Sequence, residues 1–294
     1  MPLFSVIIPT YNRAEFLRQT LESVWRQSFT DYEVIVVDDG STDDTAAWLS
    51  QAASKVKTIK QQNCGPGLAR NKGAENAVGE YLAFLDSDDL WFPWTLDTVA
   101  KLINQYDRPA LISASRVSFE DSRELESVKH TTTAADVYSD YLQSSDRHYF
   151  IGAGMTFVRR DKFFEVGGFS TRRINLEDHD LILRLGTAAG FVRILEPPTL
   201  GYRSQTSTWT SQFRLSFEGC RYVIESEQRG LYPGGKLRRA ERRKIITGHV
   251  RPWALTLART GDWRPAWSLY NSTFVWNLSL NRWRFLVGFW ANLV

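Results

Sequence analysis

Tyr81-Leu82-Ala83-Phe84-Leu85-Asp86-Ser87-Asp88-Asp89 is an apolar run that ends in a cluster of carboxylates. Its first part has the length and composition of a buried strand, which hides its body and presents its polar end. Aspartates packed this densely repel one another unless a cation or hydrogen-bond donors hold them. Their oxygens suit Mg²⁺ or Mn²⁺, which bridge one or two carboxylates to substrate phosphates. A solvated loop or the cap of a following helix fits the same residues.

Working outward, the same kind of run recurs at Phe4–Pro9, Tyr32–Asp38, Val56–Gln61, Glu80–Asp86 and Ala110–Val117. Helix-like segments lie between them, near 14–27, 43–53, 66–78 and 93–106. The first spaces Leu17, Leu21, Val24 and Trp25 with a 3.6-residue period. Alternating strands and helices with short connections predict an α/β fold, a mostly parallel sheet covered by helices. Right-handed crossovers then put the strand C-termini along one edge, where such sheets bind ligands. Three polar clusters fall there: Pro9-Thr10-Tyr11-Asn12-Arg13, Asp38-Asp39-Gly40-Ser41-Thr42-Asp43-Asp44, and Asp86-Ser87-Asp88-Asp89.

An acid ending the second strand could hold a ribose, as in dinucleotide folds. Those folds need a glycine-rich turn after the first strand, and Pro9–Asn12 has no glycine, which disfavours a dehydrogenase. Capping of the next helix by Ser41 or Thr42, with Asp44 in its first turn, is the structural alternative. Gly65-Pro66-Gly67-Leu68-Ala69-Arg70-Asn71-Lys72-Gly73 lacks P-loop spacing but reads as a helix start with positive charge, which favours anions. Glu177-Asp178-His179-Asp180 places carboxylates at another helix start, Leu176–Gly190, as dipole stabilisers or as a general base. The four His show no zinc-ligand spacing. Residues 120–150 read as a polar, partly helical insertion, and Met155–Arg159 as a further strand.

Composition narrows the class. The chain has 294 residues, 43% hydrophobic and 23% charged, ordinary values for a globular protein. No stretch reaches the ~18 apolar residues of a membrane span. The N-terminus enters strand-like sequence directly, so no signal peptide is expected. Cys64 and Cys220 are too few for a disulfide framework and fit a reducing cytoplasm. The net charge of +3 hides an asymmetry: residues 201–294 carry a net of +10 and seven of the 11 Trp, and residues 1–200 a net of −7. Two regions follow, a catalytic domain over 1–205 and a basic, Trp-rich helical region over 206–294.

Over residues 4–205 these motifs, with Phe164–Phe169 and its Gly167-Gly168-Phe169, together resemble the family 2 glycosyltransferases. The resemblance implies a GT-A fold, a Rossmann-like mixed sheet flanked by helices, here with a helical C-terminal extension. It implies inverting, metal-dependent transfer of a single sugar from a nucleotide-diphospho-sugar donor to a glycan or lipid-linked hydroxyl acceptor, in polysaccharide or glycolipid biosynthesis. By carry-over, Pro9, Thr10, Tyr11, Asn12, Arg13, Asp39, Gly67, Arg70, Asp86 and Ser87 would hold the nucleotide. Asp88, with Asp86, would ligate Mn²⁺ or Mg²⁺ in the manner of the DXD motif. Asp178 would be the catalytic base, with Glu177 beside it. Ser170 stands where the family usually has an acid. Processive members carry Gln-x-x-Arg-Trp; here Ser279 precedes Arg282-Trp283, which points to single addition. A sugar nucleotidyltransferase would want a glycine-rich basic loop after the first strand. A binding protein with a decayed site would not be expected to keep Asp39, Asp88 and Asp178 together.

The tail carries Lys236-Leu237-Arg238-Arg239 and Arg242-Arg243-Lys244. Its last stretch spaces Trp276, Leu280, Trp283, Val287, Trp290 and Val294 as one helical stripe, widened by Leu278, Phe285, Phe289 and Leu293. Such a helix could lie on an anionic membrane surface, placing a cytoplasmic protein peripherally on the inner face of the plasma membrane. It could equally pack on the catalytic domain or form a homo-oligomer. Nucleic acid is not an expected partner.

Overall fold

The computed structural model describes residues 1–52, 54–147, 149–204 and 213–291. The chain divides into two compact units: residues 1–139, 151–171 and 188–205, and residues 140–150, 172–187 and 206–294.

The first unit runs β1 (Phe4–Thr10), α1 (Ala14–Trp25), β2 (Tyr32–Asp38), α2 (Thr45–Gln51), β3 (Lys57–Lys60), α3 (Pro66–Glu75), β4 (Tyr81–Phe84), β5 (Leu90–Trp91), α4 (Thr95–Gln105), β6 (Leu111–Ser113), β7 (Arg116–Phe119), β8 (Ala134–Tyr138), β9 (Thr156–Arg159), α5 (Arg160–Glu165), β10 (Phe191–Glu196) and β11 (Leu200–Arg203). Eight strands form one mixed sheet in the order β3-β2-β1-β4-β9-β6-β10-β8. Strands β1 to β4 are mutually parallel, and β9 runs antiparallel to both of its neighbours. Strands β5, β11 and β7 make a second, small sheet.

Every residue of β1 and β4 is buried, which is why both read as unbroken apolar runs rather than alternating ones. α1 buries Leu17, Thr20, Leu21 and Val24, a stripe at helical spacing. Phe4 and Phe157 meet edge to face across the core, and Trp91 stacks on Phe157. Close approach is built in at Gly73: a Cβ there would lie 2.4 Å from Ile7 Cγ2, so α3 can lie on β1 only with glycine at this position.

The expected run 110–117 is two strands, β6 and β7, in different sheets. The chain turns at Ala114-Ser115, where the Ser115 carbonyl accepts from the backbone N–H of Thr199 and Leu200. The expected partly helical insertion over 120–150 holds a strand, β8, on the sheet edge beside β10, and short 3-10 turns at Ser122–Ser127 and Leu142–Asp146.

The second unit contains α6 (Glu177–Arg184), α7 (Phe213–Gln228), α8 (Arg239–Arg259), α9 (Trp263–Ser279) and α10 (Trp283–Ala291). α6 stops at Arg184 rather than continuing to Gly190. The tail is helical with breaks near 232–235 and 261–262, as its Gly and Pro residues predict. A third break corrects the expected stripe. Asn281 takes a left-handed conformation (φ 54°), so α9 and α10 are separate helices and residues 276–290 do not form one face. Leu293 and Val294 of that stripe, and the boundary at 205–206, lie outside the described residues. Trp276, Phe285 and Phe289 are buried, and Tyr270 stacks on Phe289 with ring centroids 4.3 Å apart. Trp283, Val287 and Trp290 are exposed.

The basic clusters are largely used within this unit. Arg238 pairs with Asp140 at 2.7 Å, Lys244 with Asp146 at 2.6 Å, and Arg242 with buried Glu227 at 2.6 Å. Much of the charge expected to attract an anionic surface is therefore neutralised by carboxylates from other segments.

Candidate active site

In the first unit the strand ends meet as expected. The loop after β1 and the loop after β2 are laced together. Asn12 Oδ1 accepts from the Thr42 amide at 2.7 Å, and the Asn12 amide donates to Ser41 Oγ at 3.0 Å. Asn12 itself is left-handed (φ 52°), a conformation asparagine tolerates better than most residues. Ser41 and Thr42 thus serve this lacing and do not cap α2. The Thr45 amide donates to Asp43 instead.

Asp39 is buried, and its carboxylate accepts from Gln61 Nε2 (2.7 Å) and from the amides of Cys64 (2.9 Å) and Gly65 (2.8 Å). It organises the loop that leads into α3. Thr10 closes β1 with its hydroxyl buried and without a hydrogen-bond partner among the described residues. Such a group stands out, since buried hydroxyls are nearly always satisfied. Tyr11 next to it is exposed.

The acidic cluster divides by role. Asp86 Oδ1 receives Arg70 Nη2 at 2.5 Å, and Asp88 is ion-paired with Arg13. Ser87 is buried. Asp89 is structural: its Oδ1 accepts the Arg203 amide at 2.9 Å and its carbonyl accepts Thr20 Oγ1 at 2.8 Å. Burial, and behind it the charge of Asp86, hold the Asp88 carboxyl above the usual range against the pull of Arg13. Burial and the charges of Asp86 and Asp88 push Asp89 well above it too. Among the described residues no group of three or more potential ligands comes together. One or two carboxylates is the set that suits a hard ion shared with substrate phosphates, so the donor set fits Mg²⁺ or Mn²⁺.

Arg70 is buried, with its guanidinium 5.4 Å from the Phe169 ring centroid. Asn71 next to it clasps the Phe169 backbone. Its Nδ2 donates to the Phe169 carbonyl at 2.9 Å, and its Oδ1 accepts the Phe169 amide at 2.8 Å. Two motifs 98 residues apart thus form one device. Gly67 lies buried in the first turn of α3. Gly154 had no sequence signal, yet a Cβ there would lie 2.9 Å from Asp86 Oδ2. Arg203, also unmarked in the sequence, ties Asp88, Asp89 and Gln19 together.

In the second unit the three carboxylates that open α6 separate. Asp180 is consumed by structure: Arg184 Nη2 donates to it at 2.7 Å and Tyr232 Oη at 3.0 Å. Asp178 Oδ1 lies 2.6 Å from His179 Nδ1 and accepts the His179 amide at 2.7 Å. Burial alone would depress the imidazole, but the charge and hydrogen bond of Asp178, with Glu177 behind, outweigh it and raise His179 above its ordinary value. His179 Nε2 is buried with no hydrogen-bond partner among the described residues, and the ring meets that of His249 edge-on, with centroids 3.8 Å apart. Glu177 is buried beside them.

Comparison with known proteins gives the family and the fold. The family model described as Glycosyl transferase family 2 matches residues 5–172. A glycosyltransferase of Rickettsia felis is 35% identical over 143 residues, 48% of this chain and 24% of the relative, so the chain spans about a quarter of that relative's length. The crystal structure of S. aureus TarS 1-349 in complex with UDP-GlcNAc superposes with a TM-score of 0.69 at 22% identity, over 87% of this chain and 74% of that one. The mannosyltransferase PcManGT of Pyrobaculum calidifontis, in complex with GDP-Man and Mn²⁺, superposes with a TM-score of 0.56 at 18% identity, over 99% and 86%. With its matched region covering more than half its length and its mixed sheet shared with these neighbours, the chain belongs to glycosyl transferase family 2 and has the GT-A fold.

Proposed function

We propose that the protein transfers a single sugar, with inversion, from a nucleotide-diphospho-sugar to a hydroxyl of a glycan or lipid-linked acceptor, in polysaccharide or glycolipid synthesis. The observation that carries this reading is the meeting of Asp86 with buried Arg70 and of Asp88 with half-buried Arg13 at the strand ends. Thr10, Tyr11, Asp39 and the loop that Asp39 organises hold the nucleoside, with Pro9, Asn12 and Gly67 shaping the pocket. Arg70, Arg13 and Ser87 lie toward the phosphates. Asp88, with Asp86, would hold Mn²⁺ or Mg²⁺, which when bound offsets the charge that grows on the departing diphosphate. Support comes from TarS crystallised with UDP-GlcNAc and PcManGT with GDP-Man and Mn²⁺.

Asp178 takes the proton of the attacking hydroxyl. His179 orients it, since the Nδ1 hydrogen bond fixes one carboxylate oxygen, and Glu177 orders the same turn. One base and a direct displacement invert the anomeric centre. A leaving diphosphate needs no second carboxylate as acid, unlike the hydrolase pair. The exposed Trp283, Val287 and Trp290 of α10 give this enzyme a surface for an anionic bilayer, with Trp at headgroup depth.

The test is a thermal-shift series of UDP, GDP, TDP, CDP and ADP with and without Mn²⁺. At about 100 times the dissociation constant, binding adds about 2.7 kcal/mol, a melting shift of about 5–10 °C at this size. One nucleotide shifting the protein only with metal supports the reading; no shift with any of them refutes the donor assignment.

A further inference from the structure

Beside the α6 pair, the second unit holds a cavity of about 170 Å³ lined by Tyr141, Ser144, Arg147, Phe150, His249 and Arg251 among others. None of its lining residues is acidic, and two are arginines. Arg251 is half-buried and makes one hydrogen bond, from Nε to the Thr247 carbonyl at 3.0 Å. Neighbouring Arg282 is also half-buried and bonds only neutral oxygens, Thr247 Oγ1 at 2.6 Å and the Lys244 carbonyl at 3.2 Å. Burial and the charge of Arg251 bring Arg282 down to about 10. Among the described residues no carboxylate pairs with either guanidinium, whereas Arg238, Arg242 and Lys244, in and just before α8, each have one. Arg251 in the cavity wall, with Arg282 nearby, makes the cavity positive, and Arg forks suit phosphate oxygens.

The cavity wall reaches the proposed base. His249 meets His179 edge-on, Phe150 lies 6.2 Å from the His179 ring, and burial, with the charge of Asp178 behind it, pushes the Tyr141 phenol up. His179 also turns an unpartnered Nε2 away from Asp178.

Resting on the glycosyl-transfer reading, we propose that this cavity is an acceptor subsite for a phosphate group, seated by Arg251 and Arg147. The acceptor is thus a phosphate-bearing alcohol, and its phosphate sets the hydroxyl at Asp178. Sugar transfer leaves that phosphate unchanged.

The full chain is titrated calorimetrically with inorganic phosphate, glycerol 3-phosphate, glycerol and glucuronate. Phosphate and glycerol 3-phosphate are expected to bind saturably with saturating UDP present, and glycerol not to bind. Loss of one charge-assisted contact in R251Q weakens binding by about tenfold or more. R147Q, checked like R251Q by circular dichroism, does the same, so the site does not depend on one variant folding. Four results overturn the proposal: no saturable phosphate binding, displacement by UDP, binding unchanged in both variants, or glucuronate binding as tightly as glycerol 3-phosphate. UDP binding is read in the same experiment. Failure of UDP and of the other four nucleotides to bind, with phosphate binding intact, sinks the donor assignment, and the reverse sinks this subsite alone.

Discussion

Replacing Asn71 with Ala removes both hydrogen bonds that clasp the Phe169 backbone, at 2.9 and 2.8 Å. Phe169 is 2% exposed, so water does not replace them fully. A buried donor and a buried acceptor left unmet cost about 1–3 kcal/mol each, which sets the loss at about 2–4 kcal/mol after relaxation. At about 2–4 °C per kcal/mol for a domain of this size, the melting temperature should fall by about 5–15 °C. The consequence reaches the site, because the Phe169 ring supports Arg70 and Arg70 holds Asp86. Nucleotide affinity should therefore drop along with stability. Asn71→Asp keeps the acceptor for the Phe169 amide but turns an oxygen toward the Phe169 carbonyl, so it should be at least as damaging at neutral pH. Gly168→Ala strikes the same clasp from the other side: its Cβ would lie 2.7 Å from Asn71 Oδ1, at a φ of +69°. Urea unfolding of both single variants and the double variant gives the coupling. Additive losses, or a melting shift in Asn71→Ala below about 2 °C, would refute the idea that one device joins these motifs.

Asp178→Asn should cut transfer by about 10²–10⁴-fold while nucleotide binding stays near wild type, and near-normal turnover would show that the base lies elsewhere. Asp88→Asn should abolish the Mn²⁺-dependent part of the nucleotide-induced melting shift, and a shift that survives with the same metal dependence removes Asp88 from the metal site. His179 is raised in the folded state, so its stabilisation is complete below the ordinary value of 6.5 and is lost as pH rises through the raised one. The groups that face it are Asp178, Glu177 and His249, so the melting difference between wild type and His179→Gln should shrink from pH 5 toward pH 9, and a constant difference contradicts the ion pair. Cosedimentation with anionic liposomes should fall when Trp283 and Trp290 are both changed to Ser, and equal recovery in the pellet excludes α10 as the contact.

The pattern of apolar runs was enough to read β1 to β4, α1, α3, α4 and the carboxylate clusters at the strand ends. Strands buried on both faces announce themselves as unbroken apolar runs, and their C-terminal loops follow from crossover handedness. The order and spacing of the motifs over 4–205 carried the family, and with it the GT-A fold. What the chain alone does not encode locally is which polar residue meets which. Three aspartates within four residues look alike as letters, yet tertiary contacts make Asp89 a structural anchor and set Asp86 against Arg70 and Asp88 against Arg13. Asp180 and Asp178 sit two positions apart on α6, and partners distant in sequence separate them: Tyr232 and Arg184 take Asp180, and His179 takes Asp178. Gly154 and Arg203 carry no periodic or compositional signal, because their roles depend on approaches that exist only once the sheet is assembled. The tail shows the same limit. A helical period continued through Asn281 suggested one stripe, but a single left-handed residue folds it into two helices. Basic runs there look like free charge until Asp140, Asp146 and Glu227 reach three of their members, whereas no carboxylate among the described residues reaches Arg251 or Arg282 outside those runs. Periodicity is a local property that the chain carries in order, whereas charge compensation depends on which distant residues packing brings within hydrogen-bond reach.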